Sequence, residues 1–386
     1  MPIEPPTGKP HSALWENVAV CYVASLAIVM LNLAPELERQ MRSELAYEPS
    51  QVGTFFIVEL GAMGVASIPF RWVRARVGGA RLGSIAAALW VIANALSSLA
   101  LPAFAGVLAT RFVAGLAAGI LMVLCMKTAA AARVPDRVFA LMVCAQLASG
   151  AALLAVIPSL MASGLGLRAV FFVNMLLAIP VPWLVRSLDV AQPSVGRADG
   201  DTGIGGVPSR RSGLLLVLAA AVFNATIGGL WAFIGEFARS PSALPAVLSL
   251  ATFAGIGATL LAGSVGRRGP RVAWLVCGQL GIALGTVLVS RSGQDAGFAI
   301  GCLLVSIAWN FSVPSLLSMC ADRLDGVDLM PSVNLAFAFG LAAGPSAAGI
   351  ALEQAGLNGL STIVLVGLGL SVGLLVVADA EGKRAQ

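Results

Sequence analysis

The stretch from Ala105 to Ala131, AGVLATRFVAGLAAGILMVLCMKTAAA, constrains this chain most. It is long and apolar enough to cross a bilayer, for which a helix needs about 20 residues. Yet it holds one guanidinium, Arg111, well inside its length. A charge inside such a segment is expensive, faces protein or water and not lipid, and marks a functional position by default. Behind it, Gly115 and Gly119 stand four residues apart, a spacing that lets a neighbouring helix come close. A transmembrane helix with a polar purpose is expected.

The rest of the chain repeats the pattern. Twelve apolar runs are expected to span: 15–37, 51–72, 82–102, 104–129, 138–161, 168–187, 213–237, 243–265, 272–290, 296–320, 331–354 and 358–378. Of the 386 residues 58% are apolar and 11% charged, where soluble domains average about 45–50% and about 25%. So few charged side chains cannot clothe a soluble protein of this size. The runs are continuous, not ten-residue alternations, which excludes a transmembrane β-barrel. The fold class is therefore all-α membrane protein.

The chain divides into a tail (1–14), a six-span bundle (15–187), a Gly/Ser/Pro-rich linker (188–212), a second six-span bundle (213–378) and a short tail (379–386). With the N-terminus placed in the cytoplasm, eighteen Lys and Arg fall on the inner side and five on the outer. Both termini and the linker are accordingly expected inside. The net charge of +5 thus serves orientation, and no nucleic-acid partner is expected. RVGGAR (Arg76 to Arg81) follows the second span and VGRRGPR (Val265 to Arg271) the eighth. Their Val-Gly pairs lie 188 residues apart, about half the chain. Two homologous halves in parallel orientation explain that offset.

Several chemistries find no residues. The six cysteines sit in apolar segments without ligand spacing, the single His11 lies in a polar tail, and no Gly-x-x-x-x-Gly-Lys-[Ser/Thr] sequence exists to bind ATP. The first fourteen residues hold four prolines and no apolar core, so no cleavable signal peptide is expected. A membrane enzyme or scaffold lacks support: there is no His cluster, no paired aspartates and no large soluble domain.

Four places resemble the major facilitator superfamily. Arg111-Phe-Val-Ala-Gly115-Leu-Ala-Ala-Gly119 is similar to that family's fourth-helix motif. Gly166-Leu-Arg168-Ala-Val-Phe171-Phe-Val-Asn174 resembles the start of the sixth helix in bacterial drug-efflux members. The basic turn with Arg76, Gly78 and Arg81 resembles the loop that braces the cytoplasmic side, although Ala75 stands where the family usually has an aspartate. Gly340-Leu-Ala-Ala-Gly344-Pro345 resembles the antiporter motif, displaced from the fifth helix to span eleven. The resemblance implies the twelve-helix fold of two pseudo-symmetric bundles. It implies a secondary transporter most like drug and metabolite:proton antiporters, working as a monomer in the bacterial inner membrane, without cofactor and driven by a proton gradient. Arg76, Gly78, Arg81, Gly340, Gly344 and Pro345 would be gating or structural positions.

Few ionisable groups lie deep in the spans. At about 1.5 Å of rise per residue, Asn32, Arg111 and Glu59 come out roughly 9, 7 and 3 Å outward of their helix midpoints, so the three can share a layer. A carboxylate in low dielectric resists ionisation while a nearby guanidinium favours it, so movement of either loads or releases a proton. Glu59 is the expected proton carrier and Arg111 the modulating charge; a static pair locking spans two and four is the other reading. Substrate-lining candidates are Tyr22, Met30, Gln146, Asn174, Asn224, Trp231, Phe233, Trp309 and Asn310. Any of the amides can instead be interhelical glue, and Phe233 can face lipid. Glu36 and Glu236 end their spans near the outer surface, as vestibule guards or as solvated helix ends. A cavity walled by apolar, aromatic and amide groups suits an amphipathic organic molecule, exported by alternating access; import of a small organic anion is the alternative.

Overall fold

The computed structural model describes residues 10–132, 135–188, 210–265, 270–323 and 330–384, all in helices and short connections. The body of the expected linker, 189–209, the VGRRGPR turn at 266–269 and the tail 1–9 lie outside them. Before the linker run α1 (Pro10–Ala27), α2 (Val29–Asn32), α3 (Ala34–Leu45), α4 (Pro49–Val65), α5 (Phe70–Val77), α6 (Gly79–Ala100), α7 (Phe104–Ala131), α8 (Pro135–Leu160), α9 (Arg168–Ala178) and α10 (Val181–Leu184). After it run α11 (Arg210–Phe233), α12 (Leu244–Val265), α13 (Arg271–Arg291), α14 (Asp295–Arg323) and α15 (Met330–Arg384).

Among the described residues nine helices are long and apolar enough to cross a membrane, the last stretch, Leu335–Lys383, being 49 residues long. The departures from twelve uninterrupted runs have local causes. The expected first span is broken at Ile28 and Leu33, where the backbone leaves helical geometry, and Pro35 then starts an amphipathic helix, APELERQMRSEL. The expected second span ends early at Val65, and four turn residues precede the basic helix α5. Pro180 and Pro182, which lack amide donors, stop α9 at Ala178 and leave only short turns behind it. Gly356, at φ 61°, breaks the long α15 where the sequence places the gap between its last two spans.

The surface is inverted relative to a soluble protein. Leu99, Leu214, Leu280 and Val366 are more than half exposed, whereas Arg111, Asn94, Glu59 and Gln279 are buried. Apolar side chains outside and polar ones inside are what a bilayer solvent requires. Connections tie together at two opposite faces. On one, Glu44 accepts from the Leu167 amide at 2.9 Å, Tyr47 donates to the Pro102 carbonyl at 2.9 Å, and Ser240 pairs with Asp295 at 2.8 Å. On the other, Thr128 donates to the Leu188 carbonyl at 2.9 Å and Arg211 pairs with Glu381 at 3.8 Å. We call these the distal face and the linker face.

Helices from before and after the linker pack through two seams, α4 against α15 and α8 against α12. A Cβ on Gly53 would lie 2.6 Å from the Ser346 Cα, and one on Gly349 would lie 2.4 Å from the Pro49 carbonyl oxygen. Backbone therefore meets backbone across the first seam. In the second, Ser249 donates to the Ala151 carbonyl at 2.7 Å.

Candidate functional site: a buried charge pair

Four helices before the linker converge on one buried polar cluster. Arg111 on α7 is 0% exposed, Glu59 on α4 is 7% exposed, and their nearest charged atoms, Nη2 and Oε1, stand 3.7 Å apart. That is an ion pair but too long for a hydrogen bond. The guanidinium donates instead through Nη1 to Asn94 Oδ1 on α6 at 3.2 Å, and lies over the Phe171 ring of α9 at 5.2 Å. Asn174, also on α9, donates to the same Asn94 oxygen at 3.2 Å. Glu59 Oε2, Arg111 Nε, Arg111 Nη2 and Asn174 Oδ1 are buried and have no hydrogen-bond partner among the described residues.

The helix crossing that brings the pair together is written in glycine. A Cβ on Gly115 would lie 2.2 Å from the Glu59 carbonyl oxygen, and one on Gly119 would lie 2.3 Å from that of Met63. α4 thus lies directly on the small-residue stripe of α7, and one turn separates Gly115 from Arg111. Both side chains are buried, so each charge feels the other and its own desolvation strongly. The energy of a group so placed responds to small changes in separation.

Asn32 does not join the pair. It donates to the Gln146 carbonyl on α8 at 3.1 Å, and Gly150 lies against its side chain. Equal height was a necessary condition for meeting, and the helix faces differ. The other candidates divide. Tyr22 is spent on the Leu177 carbonyl at 2.7 Å and Gln146 donates to the Ala24 carbonyl at 3.3 Å. Asn224 and Asn310 donate within their own helices, to Ala220 at 2.8 Å and Ser306 at 2.9 Å. Trp231 and Trp309 pack with ring centroids 5.9 Å apart, and Trp231 Nε1 donates to the Leu31 carbonyl at 3.0 Å across the two parts of the chain. Met30 and Phe233 are buried, so Phe233 faces protein and not lipid.

Gly340 and Gly344 hold α15 against α11: their Cβ positions would fall 2.4 Å and 2.0 Å from the Ala221 and Ala225 carbonyl oxygens. Gly78 separates α5 from α6 at φ 84°; Arg76 is exposed and Arg81 is exposed beside it. Glu36 is not a solvated helix end. It is buried and holds Arg39 and Gln40 of its own helix. Asn94 is the residue that sequence reasoning passes over, because an Asn bonding its own i−4 carbonyl, here Trp90 at 2.9 Å, looks like ordinary glue.

A family model described as Major Facilitator Superfamily matches residues 18–345. Two crystal structures of the nucleoside transporter NupG share the fold. For one, of a point mutant, the TM-score is 0.69 at 12% identity, covering 95% of this chain and 99% of that one. For the other it is 0.68 at 13% identity, covering 96% and 98%. No curated protein sequence matches the chain.

Proposed function

The chain belongs to the Major Facilitator Superfamily, and on that premise we propose that this integral membrane protein is a proton-coupled secondary transporter. It exports an amphipathic drug-like compound or endogenous metabolite by alternating access. The proposal takes the chain as twelve crossings in two bundles, 15–187 and 213–378, with both termini on the cytoplasmic side of a bacterial inner membrane. It acts as a monomer without a cofactor.

The observation that carries it is the incomplete pairing of Glu59 with Arg111. A pair kept only for stability closes into direct hydrogen bonds, since an open one leaves desolvation uncompensated. Here the nearest charged atoms are 3.7 Å apart, and both residues keep buried polar atoms without a hydrogen-bond partner among the described residues. Such a site accommodates a proton on Glu59 in one state and a closer ion pair in the other. In this reading Glu59 carries the proton, and Arg111, held by Asn94 and Phe171, is the fixed charge against which it titrates. Trp231, Trp309, Met30 and Asn310 line the substrate path where the two bundles meet. The NupG likeness extends to the fold and supplies no substrate.

Proteoliposomes with an imposed pH gradient of either sign, offered candidate secreted or toxic metabolites, test this. Glu59→Gln should abolish gradient-driven flux while exchange partly survives. If Glu59→Gln and Arg111→Ala both keep coupling intact, the site assignment is lost. If only an inward proton gradient drives uptake of an anion, and Arg111→Ala removes binding without any gradient, the protein imports organic anions.

A further inference from the structure

The distal face carries a second set of ionisable groups that the proposed transport site does not use. α3 lies there against the turn 234–237 that ends α11. Glu38 on α3 is 1% exposed. Arg42, one turn on, reaches both Glu38 Oε1 at 3.3 Å and Glu236 Oε1 in a close ion pair. Glu236 belongs to the chain after the linker, so two carboxylates from opposite sides of the α3–turn contact share one guanidinium. Two negative charges against one positive leave the closed cluster one charge out of balance, and a single proton between the carboxylates restores it.

We infer that Glu38, Arg42 and Glu236 form a proton-sensitive latch on the distal face, which takes up one proton when that face closes and releases it to distal water when it opens. The inference rests on the alternating-access reading above, but on residues remote from Glu59. Closing forms the Glu38–Glu236 carboxylic acid–carboxylate contact beside Arg42; opening breaks it, returns the proton to bulk water and leaves both carboxylates solvated.

The surrounding charges agree. Glu36 is occupied by Arg39 and Gln40. Arg39 also feels Glu38 and Glu44 through space. Glu44 is exposed and engaged by the Leu167 amide, Glu48 at the start of α4 and Arg239 beyond the turn are exposed, and neither α2 nor the adjoining end of α11 brings a charge. Burial, then Glu236, pushes the Glu38 carboxyl from its ordinary 4.5 up to about 8, against the opposing pull of Arg42. The sign follows. An acid that titrates higher in the closed form stabilises closure most at low pH, and this contribution fades as pH rises toward about 8.

Hydrogen–deuterium exchange of the full chain in nanodiscs, followed over residues 34–45 and 234–237 and corrected for chemical exchange rates, reads the closed-to-open ratio. In a Glu59→Gln background, which silences the interior carboxylate, protection should fall about tenfold per pH unit between about pH 5 and 8. Glu59→Gln/Glu38→Gln should be flat. Glu59→Gln/Glu236→Gln, which keeps Glu38 beside Arg42 alone, should move the fall to lower pH and so serves if the first double variant folds poorly. An unchanged slope in both double variants, or no slope with Glu59→Gln alone, overturns the latch. Loss of transport coupling at Glu59 is read separately, by flux.

Discussion

At the scale of the residue, Arg111 decides most. Buried with one side-chain hydrogen bond, a 3.7 Å counter-charge and an aromatic face, it depends on each partner. Removing one member of a buried pair strands the other, at about 3–5 kcal/mol, while removing both is far milder. Glu59→Leu and Arg111→Met should therefore each destabilise more than the double variant, in a double-mutant cycle read by unfolding in detergent. Additive losses would mean that the two charges do not interact. Asn94→Leu should cost about 1–3 kcal/mol, because it leaves Arg111 and Asn174 donors unmet. Glu59 and Arg111 were legible in the sequence, since ionisable groups in apolar runs are rare. Asn94 was not, because one amide among many polar residues in spans shows its role only when its neighbours are fixed in space. The same limit applies to Asn32, whose height could be counted along the helix but whose direction could not.

At the scale of the element, the glycines carry the helix crossings. Gly-to-Ala exchange inside a helix ordinarily stabilises by about 0.5–1 kcal/mol. That sign should hold at Gly257 and Gly369, whose Cβ positions meet nothing within 4 Å. It should reverse at Gly115 and Gly344, where the new carbon would fall 2.2 Å and 2.0 Å from a neighbouring carbonyl oxygen. Overpacking of that kind costs about 1–3 kcal/mol, so Gly115→Ala and Gly344→Ala should lower the melting temperature while the other two do not. Four equal shifts would refute the close crossings. The Gly115/Gly119 stripe announced its close approach from spacing alone, but that its partner is α4 came only from packing. Likewise the prolines at 180 and 182 foretold the end of α9, whereas nothing apolar in 15–37 foretold the breaks at Ile28 and Leu33.

At the scale of the whole molecule, two seams and the distal cluster join the parts of the chain on either side of the linker. If those parts move as halves about a central path, cysteines placed at Ala151 and Ser249, whose native groups meet at 2.7 Å, should lock the molecule when bridged through two disulfides by a short bis-methanethiosulfonate reagent. Transport should be lost when the bridge forms and return on reduction, as expected when a gating motion is blocked. Undiminished transport after full cross-linking would place the moving surfaces elsewhere. The sequence by itself determined the solvent of this protein, its helical class and its family motifs, because hydrocarbon imposes length and apolarity on each span locally, residue after residue. Which faces meet was left to the tertiary structure. Neighbouring lipid and neighbouring helix are equally apolar, so the composition of a span does not distinguish them. Only the close fit of backbone over glycine, and of one buried charge against another, selects a single arrangement.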